Sequence, residues 1–274
     1  MHLSLMAIAI AGALLFRLTW TKTRNWQQRW QRALGAFVIP PLLLLTSSLA
    51  VLFMGTQGTM LGLKVGNGGY FIAGSFLSFA GGMLLHLGGQ GWRSLQQVQN
   101  FAWVEVQGSR GRLLNSDSLF AAQIGFWHSE LVISQGLLRS FDSAHLGAVI
   151  AHEQAHSHYR DTFWFFWLGW CRRLSALLPQ TEPLWQELLL LRELRADRRA
   201  AQQVDSLLLA ESLLLMVKAP LVESGLATCS AAAASTSRLE ERIEALLSPE
   251  EITPKRQLWW LVGLLPLLTM LLHR

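Results

Sequence analysis

The sequence predicts an α+β membrane protein in which four transmembrane helices accompany a mainly helical domain with a small β-sheet. Three observations predict this class. All 18 acidic residues lie between Glu105 and Glu251, so the part of the chain before Glu105 is free of acid. Apolar segments with the length of membrane helices stand on both sides of this acid-containing region. Within the region, short runs typical of strands precede longer helical runs.

Three apolar segments near the N-terminus approach the roughly 20 residues that a membrane helix needs. They are residues 3–18, 34–54 and 70–87. Pro40 and Pro41 lie in the second segment, and membrane helices tolerate proline better than soluble helices do. A shorter segment, residues 258–272, predicts the fourth helix, with tryptophans where an interfacial belt belongs.

The chain therefore divides into residues 1–88 with three membrane helices, residues 89–257 as the domain, and residues 258–274 with the last helix. Basic residues predict the orientation. The first connection, residues 19–33, is basic and free of acid, whereas the second holds only Lys64. The positive-inside rule then places the N-terminus outside and both the first loop and the domain in the cytoplasm. Anionic lipid accounts for the net charge of +5, so the composition predicts no nucleic-acid partner.

Within the domain, residues 101–106, 118–124 and 130–134 have the pattern of strands, and residues 109–118 have that of a turn-rich loop. Asp142 or Ser143 is a suitable N-cap for a helix that continues to Asp161. Further helices are predicted for residues 163–170, 184–204, 207–217 and 237–247, and a flexible loop for residues 225–237. The two isolated cysteines, Cys171 and Cys229, suit a reducing compartment.

The stretch AHEQAH contains the motif HExxH. His152 and His156 are four residues apart, so on a helix they project from one face and can both bind one zinc ion. Glu153 lies about 100° round the helix, beside the metal position. That place suits a general base, which takes a proton from the attacking water.

A catalytic zinc ion needs a third protein ligand and leaves the fourth position for water. The stretch RELRAD offers two candidates, because Glu193 and Asp197 share an otherwise apolar helix face. Carboxylates on such a face need partners if they are buried. The competing interpretation is a surface helix with salt bridges between neighbouring turns. A purely structural zinc site would usually add Cys or His, and the sequence near both clusters lacks Cys.

HEQAH followed 37 residues later by ELRAD resembles the gluzincin metallopeptidases, specifically their integral-membrane branches. The BlaR/MecR-type peptidases, sensor-transducers of β-lactam resistance, share the four-span layout, and their continuation after the zinc helix is similar to HSHYRD. The HtpX/Ste-type peptidases share VISQGLL, LGAVIAHEQAH, RELRAD and the pattern of STSRLEERIEALL. The resemblance covers about residues 118–247. It departs where the HtpX pattern has His-Pro and this chain has Ser237 and Arg238.

The resemblance implies a zincin-like metallopeptidase domain with one zinc ion per chain, held by His152, His156 and Glu193, with Glu153 as the catalytic base. Asp197 then accepts a hydrogen bond from His152. A strand edge before the zinc helix is expected to hold substrate by backbone pairing. This edge comprises Leu119, Phe120, Ala121, Ala122 and Gln123.

Arg242 is a candidate for stabilising an oxyanion, and a surface salt bridge is the alternative for it. The implied function is cleavage of a cytoplasmic or membrane protein in regulatory signalling, at an inner membrane of bacterial type. Two alternatives stay open. One is quality control of membrane proteins by an HtpX-like protease. The other is a membrane scaffold or signalling protein whose zinc is not catalytic.

Overall fold

The computed structural model is mostly helical and contains a small mixed sheet. It describes residues 2–21, 26–56, 59–60, 63–64, 67–218, 236–247 and 263–268. The chain forms two compact units. The first comprises Met1–Leu87, Leu168–Leu188 and Ile252–Arg274, and the second comprises Gly88–Trp167 and Leu189–Glu251.

The first unit begins with two apolar helices that pack against each other, α1 (His2–Leu18) and α2 (Trp26–Met54). A two-stranded hairpin of β1 (Thr59–Met60) and β2 (Leu63–Lys64) precedes α3 (Asn67–Gln99). The buried residues that join these helices are small or flexible apolar ones: Met6, Ala50, Val51, Met54 and Ala73.

Within the described residues, two helices are long and apolar enough to cross a membrane, Gln28–Met54 and Asn67–Gln99. They contain the predicted segments 34–54 and 70–87. The predicted segment 3–18 corresponds to α1, a shorter apolar helix of 17 residues. Most of the predicted fourth segment lies outside the described residues, and its described part, residues 263–268, is a short 3₁₀ helix.

Two predicted boundaries fall inside helices. The basic loop was predicted for residues 19–33, but α2 already begins at Trp26, so Arg29 and Arg32 are helical. Arg29 forms an ion pair with Glu187 there. The boundary predicted after residue 88 lies inside α3, one residue beyond the division between the two units, because Gln, Ser and Arg at the end of α3 are all compatible with a helix.

The second unit contains a four-stranded sheet with the order β3-β4-β6-β5. Its strands are β3 (Ala102–Val106), β4 (Ser109–Leu114), β5 (Ala121–Gly125) and β6 (Ser129–Ser134). β4 pairs with β6 in parallel, and the other pairs are antiparallel. β5 is therefore an edge strand among the strands that the structure describes.

The loop predicted for residues 109–118 is wrong over its first half, because residues 109–114 form β4. Its sequence SRGRLL lacks the β-branched alternation of a strand, but neighbours on both sides hold it in the sheet. Arg112 is buried, lies 3.6 Å from the centre of the Trp103 ring and forms an ion pair with Glu130 at 2.7 Å. Tertiary contacts thus override the local propensity.

A short helix, α4 (Gln135–Ser140), leads to the central helix of this unit, α5 (Ser143–Tyr159). Asp142 caps α5 as predicted, since its side chain accepts a hydrogen bond from the backbone N–H of His145 at 2.9 Å. One face of α5 packs on the sheet through Leu146, Val149 and Ile150. Ala148 and Ala151 belong to a second apolar cluster with the helices that follow.

Four helices complete the described part of the chain. They are α6 (Asp161–Leu174), α7 (Thr181–Ala200), α8 (Ser206–Lys218) and α9 (Thr236–Leu247). The helix predicted for residues 184–204 is displaced towards the N-terminus by a few residues. The helix that was predicted to continue to Asp161 is α5, which ends at Tyr159. Most of the loop predicted for residues 225–237 lies outside the described residues.

Candidate metal centre

The two histidines of HExxH lie on α5 in a buried position. His152 and His156 project from consecutive turns of the same helix face, and their Nε2 atoms are 3.1 Å apart. Both side chains are buried because α5 is enclosed by the sheet on one side and by α8 and α9 on the other. Helical spacing and packing together bring two imidazoles to one point.

The carboxylate of Glu193, on α7, lies close to the Nε2 atoms of both histidines. Its Oε2 lies 3.4 Å from His152 Nε2, and its Oε1 lies 3.8 Å from His156 Nε2. Donor atoms that share one tetrahedral metal ion, with bonds of about 2.0–2.2 Å, lie roughly 3.3–3.6 Å apart. The three distances of 3.1, 3.4 and 3.8 Å lie on both sides of this range, and the group could hold a metal ion.

Each imidazole has a carboxylate at its other nitrogen. His156 Nδ1 donates to Asp161 Oδ2 at 2.7 Å. His152 Nδ1 lies 2.9 Å from Asp197 Oδ1, somewhat off the line of an ideal hydrogen bond. A proton held at Nδ1 leaves the Nε2 lone pair free, so these carboxylates favour the tautomer that binds a metal.

The two carboxylates are themselves held by arginines. Arg242 on α9 donates to both oxygens of Asp197, each at 2.7 Å, and Arg195 donates to Asp161. Burial alone would raise the pKa of Asp197, but the Arg242 guanidinium and His152 outweigh this and lower it. Asp197 is therefore ionised at neutral pH and can accept a hydrogen bond from the Nδ1–H of His152.

Glu193 is held in the charged form by its surroundings. Burial opposes ionisation, but Arg192, His156 and Arg242 hold the pKa of the Glu193 carboxyl well below its ordinary value. Arg192 donates to Glu193 Oε1 at 2.7 Å, and Arg242 Nη1 lies 3.4 Å from Glu193 Oε2. An ionised carboxylate is the form that a cation binds.

Glu153 is buried beside these groups and has a different environment. Burial raises the pKa of the Glu153 carboxyl above its ordinary value, although His156 and His152 oppose the rise. Such a carboxyl takes up a proton more readily than an exposed one, which is the property that a general base needs.

Sequence reasoning predicted most of these residues. Among the other histidines, His145 binds Asp142 at the start of α5, and His158 lies outside the cluster. Asp161, which the sequence suggested as the end of a helix, is bound to both His156 and Arg195. The sequence offers no periodic signal for the bond to His156, because the left-handed backbone of Arg160 turns the chain between His156 and Asp161.

The strand edge that was expected to hold substrate begins two residues later than predicted. Ala121, Ala122 and Gln123 lie in the edge strand β5, which contacts α5. Leu119 and Phe120 precede the strand. The backbone N–H of Phe120 donates to Ser134 Oγ at 3.0 Å and its carbonyl accepts from the Ser134 N–H at 2.9 Å, so it is not available for pairing with a peptide.

No protein-family model matches the chain, and no curated protein or solved structure matches it either. The function must therefore follow from the geometry of the site and from the motifs in the sequence.

Proposed function

We propose that the chain is an integral-membrane zinc endopeptidase that cleaves a cytoplasmic or membrane protein. The observation that carries the proposal is the convergence of His152, His156 and Glu193 on one point, with buried Glu153 beside it. Two imidazoles and one carboxylate form the protein ligand set of many catalytic zinc sites, in which water takes the fourth position. A fourth Cys or His, usual in structural sites, is absent from this cluster within the described residues.

The chemistry divides between the ion and the chain. Zinc, when bound, supplies a Lewis acid that polarises the scissile carbonyl and makes a water molecule more acidic. Glu153 takes the proton of the attacking water and delivers it to the leaving amine. Its raised pKa suits both transfers, because the acid that forms must persist until the amine departs.

The remaining residues position the ligands and the substrate. Asp197 and Asp161 orient the imidazoles, and Arg242 and Arg195 orient those carboxylates. Arg242 binds Asp197 through two of its nitrogens, and its Nη1 is paired with Glu193 Oε2 at 3.4 Å, so contact of Arg242 with an oxyanion stays a prediction. The free edge of β5, residues 121–125, can receive a peptide as an added strand.

The proposed location of the cleavage rests on the basic residues around the connection between α1 and α2. The candidate membrane helices support an integral-membrane protein. From the positive-inside rule we infer a cytoplasmic location for the region that contains the candidate metal centre. The substrate is then a cytoplasmic protein or the cytoplasmic part of a membrane protein.

A comparison of membrane fractions tests this function. Cells that produce the wild-type chain, Glu153→Gln or the control Glu244→Gln are compared by mass spectrometry of new protein N-termini. Glu244 is exposed on α9, so its substitution should leave cleavage intact. New termini should be present with the wild type and the control and absent with Glu153→Gln. Identical termini in all three would contradict the peptidase and favour a scaffold role for the metal.

A further inference from the structure

Exposed aromatic side chains surround the tip of the β5–β6 hairpin in the second unit. Phe126 and Trp127 form the tip and expose 38% and 48% of their surface, and Trp164 in α6 exposes 58%. The guanidinium of Arg160 lies 4.2 Å from the centre of the Trp127 ring. These four residues are called the aromatic patch.

The patch is held in a fixed shape although it is exposed. The Phe126 ring packs edge-on against Phe163 and Phe166, with 5.1 Å between the ring centres in each pair. The Trp127 ring packs against Phe163 with 4.9 Å between the ring centres. Gly125 allows the tight turn, because a Cβ there would lie 2.3 Å from the His128 carbonyl oxygen. Large aromatic surfaces kept in water by a rigid turn are typical of an interaction surface.

The charge of the patch indicates its partner. Arg160 is exposed, whereas the neighbouring Asp161 is buried and bound to His156 and Arg195, so its charge is not presented at the surface. Tryptophan and phenylalanine beside a cation match the headgroup region of a bilayer, where rings enter the acyl boundary and arginine meets phosphate. The cytoplasmic leaflet is anionic and attracts such a surface.

The chain itself supplies the bilayer. Within the described residues, two helices are long and apolar enough to cross a membrane, Gln28–Met54 and Asn67–Gln99. A chain that these helices anchor has the headgroup region of a bilayer as a partner at all times.

We propose that the aromatic patch docks into the headgroup region of the bilayer that holds the chain. This docking rests on the proposed membrane location. It does not rest on the peptidase function, because Phe126, Trp127 and Trp164 do not belong to the candidate metal centre.

Fluorescence quenching in liposomes tests the docking. The full chain, with Cys171 and Cys229 replaced by alanine, is reconstituted into phosphatidylcholine and phosphatidylglycerol. His128→Cys, next to Trp127, carries an environment-sensitive label. The matched control is Glu105→Cys, exposed on β3 at the opposite edge of the sheet. Lipids with a nitroxide near the headgroup quench from the membrane, and iodide quenches from water.

We expect the label at position 128 to be quenched by the nitroxide lipid and to be at least about threefold less accessible to iodide than the label at position 105. Replacement of Trp127 and Trp164 by serine should bring iodide quenching at position 128 to the level of the control. Equal iodide quenching at positions 128 and 105 in the parent protein would overturn the proposal. Protection from iodide without nitroxide quenching would also overturn it, since a protein would then cover the patch. If the serine variant does not fold, the comparison of positions 128 and 105 still decides.

Discussion

At the scale of single residues, the candidate metal centre contains two imidazoles, and each imidazole has its own carboxylate partner. Asp197 serves His152 and Asp161 serves His156, and an arginine binds each carboxylate. This arrangement fixes which imidazole nitrogen faces the centre before any metal arrives. The carboxylates are therefore expected to govern metal affinity, and the residue that binds the ion directly is expected to govern it more strongly.

Glu193 and Asp197 should differ in how much zinc their variants retain. Glu193→Ala removes a ligand and leaves two histidines, so we expect it to purify nearly free of zinc. Asp197→Ala should bind zinc at saturating metal but work poorly, since loss of such a carboxylate partner typically costs roughly 10- to 100-fold in affinity or activity. Metal analysis and titration of the purified variants measure both. Full zinc in Glu193→Ala with loss in Asp197→Ala would reverse the two roles.

Asp161 should behave as the counterpart of Asp197. We expect Asp161→Ala to weaken zinc binding by roughly 10- to 100-fold, because the His156 ring loses its hydrogen-bond acceptor. Asp161→Asn keeps an acceptor oxygen, so its loss should be smaller. Asp205→Asn, at the exposed start of α8, is the control. Zinc affinity in Asp161→Ala equal to that of the control would show that His156 needs no carboxylate partner.

Sequence reasoning reached the ligands more readily than their supports, for a physical reason. His152 and His156 share one helix, so the helical period alone predicts their common face. The pairing of Glu193 with them depended on the resemblance and on its apolar helix face. The bond between Asp161 and His156 crosses the left-handed turn at Arg160, where helical periodicity no longer predicts direction. Arg242 binds Asp197 from a separate helix, and no local sequence pattern predicts that these two side chains lie close together.

At the scale of elements, helices with strong periodicity were predicted within a few residues, and strands less well. β3, β5 and β6 were recognised from their apolar pattern, whereas β4 was taken for a loop. β4 is stabilised as a strand by contacts of its Arg112 side chain with Trp103 on β3 and Glu130 on β6. The end of α3 was missed because neither a proline nor a sharp turn separates its apolar and polar parts.

The first turn of α4 should be sensitive to one added methyl group. A Cβ at Gly136 would lie 2.1 Å from the carbonyl oxygen of Asp117, a backbone atom that cannot move freely. We expect Gly136→Ala to lower the free energy of unfolding by about 1–3 kcal/mol or more. Thermal or denaturant unfolding of the purified protein measures the change.

Gly147→Ala is the matched control for this substitution. Gly147 lies in α5, and a Cβ there would have only ordinary van der Waals contact, 3.9 Å from Gln107 Oε1. In a helix interior, alanine is more favourable in free energy than glycine by about 0.8–1 kcal/mol, so this variant should be slightly more stable than the parent. Equal destabilisation of both variants would show that the contact at Asp117 does not matter.

At the scale of the whole molecule, the chain combines apolar helices with a candidate metal centre in the second unit. Composition predicted the apolar part, since acid is absent before Glu105. The structure supports two helices of sufficient length, and the remaining membrane segments stay predictions. Composition could not show that residues 168–188 belong to the first unit, because that grouping arises from tertiary contacts.

Cysteine labelling from outside the cell should reveal the orientation. In a chain without native cysteines, Thr56→Cys follows α2 and Thr21→Cys follows α1, and both positions are exposed. The positive-inside rule predicts that an impermeant maleimide labels position 56 in intact cells and labels position 21 only after lysis. The reverse pattern would place the metal centre outside and exclude a cytoplasmic substrate.

The most direct test of the central claim is the rate of peptide-bond cleavage by the purified chain with and without the Glu153 carboxylate. Wild type and Glu153→Gln are loaded with zinc, their metal content is measured, and both are incubated with an unfolded protein. We expect about one zinc ion in each. Cleavage should be slower by roughly 100- to 10,000-fold in Glu153→Gln, because the amide cannot take up the proton. Equal rates at equal zinc content would contradict the role of Glu153 and, with it, the proposed peptidase.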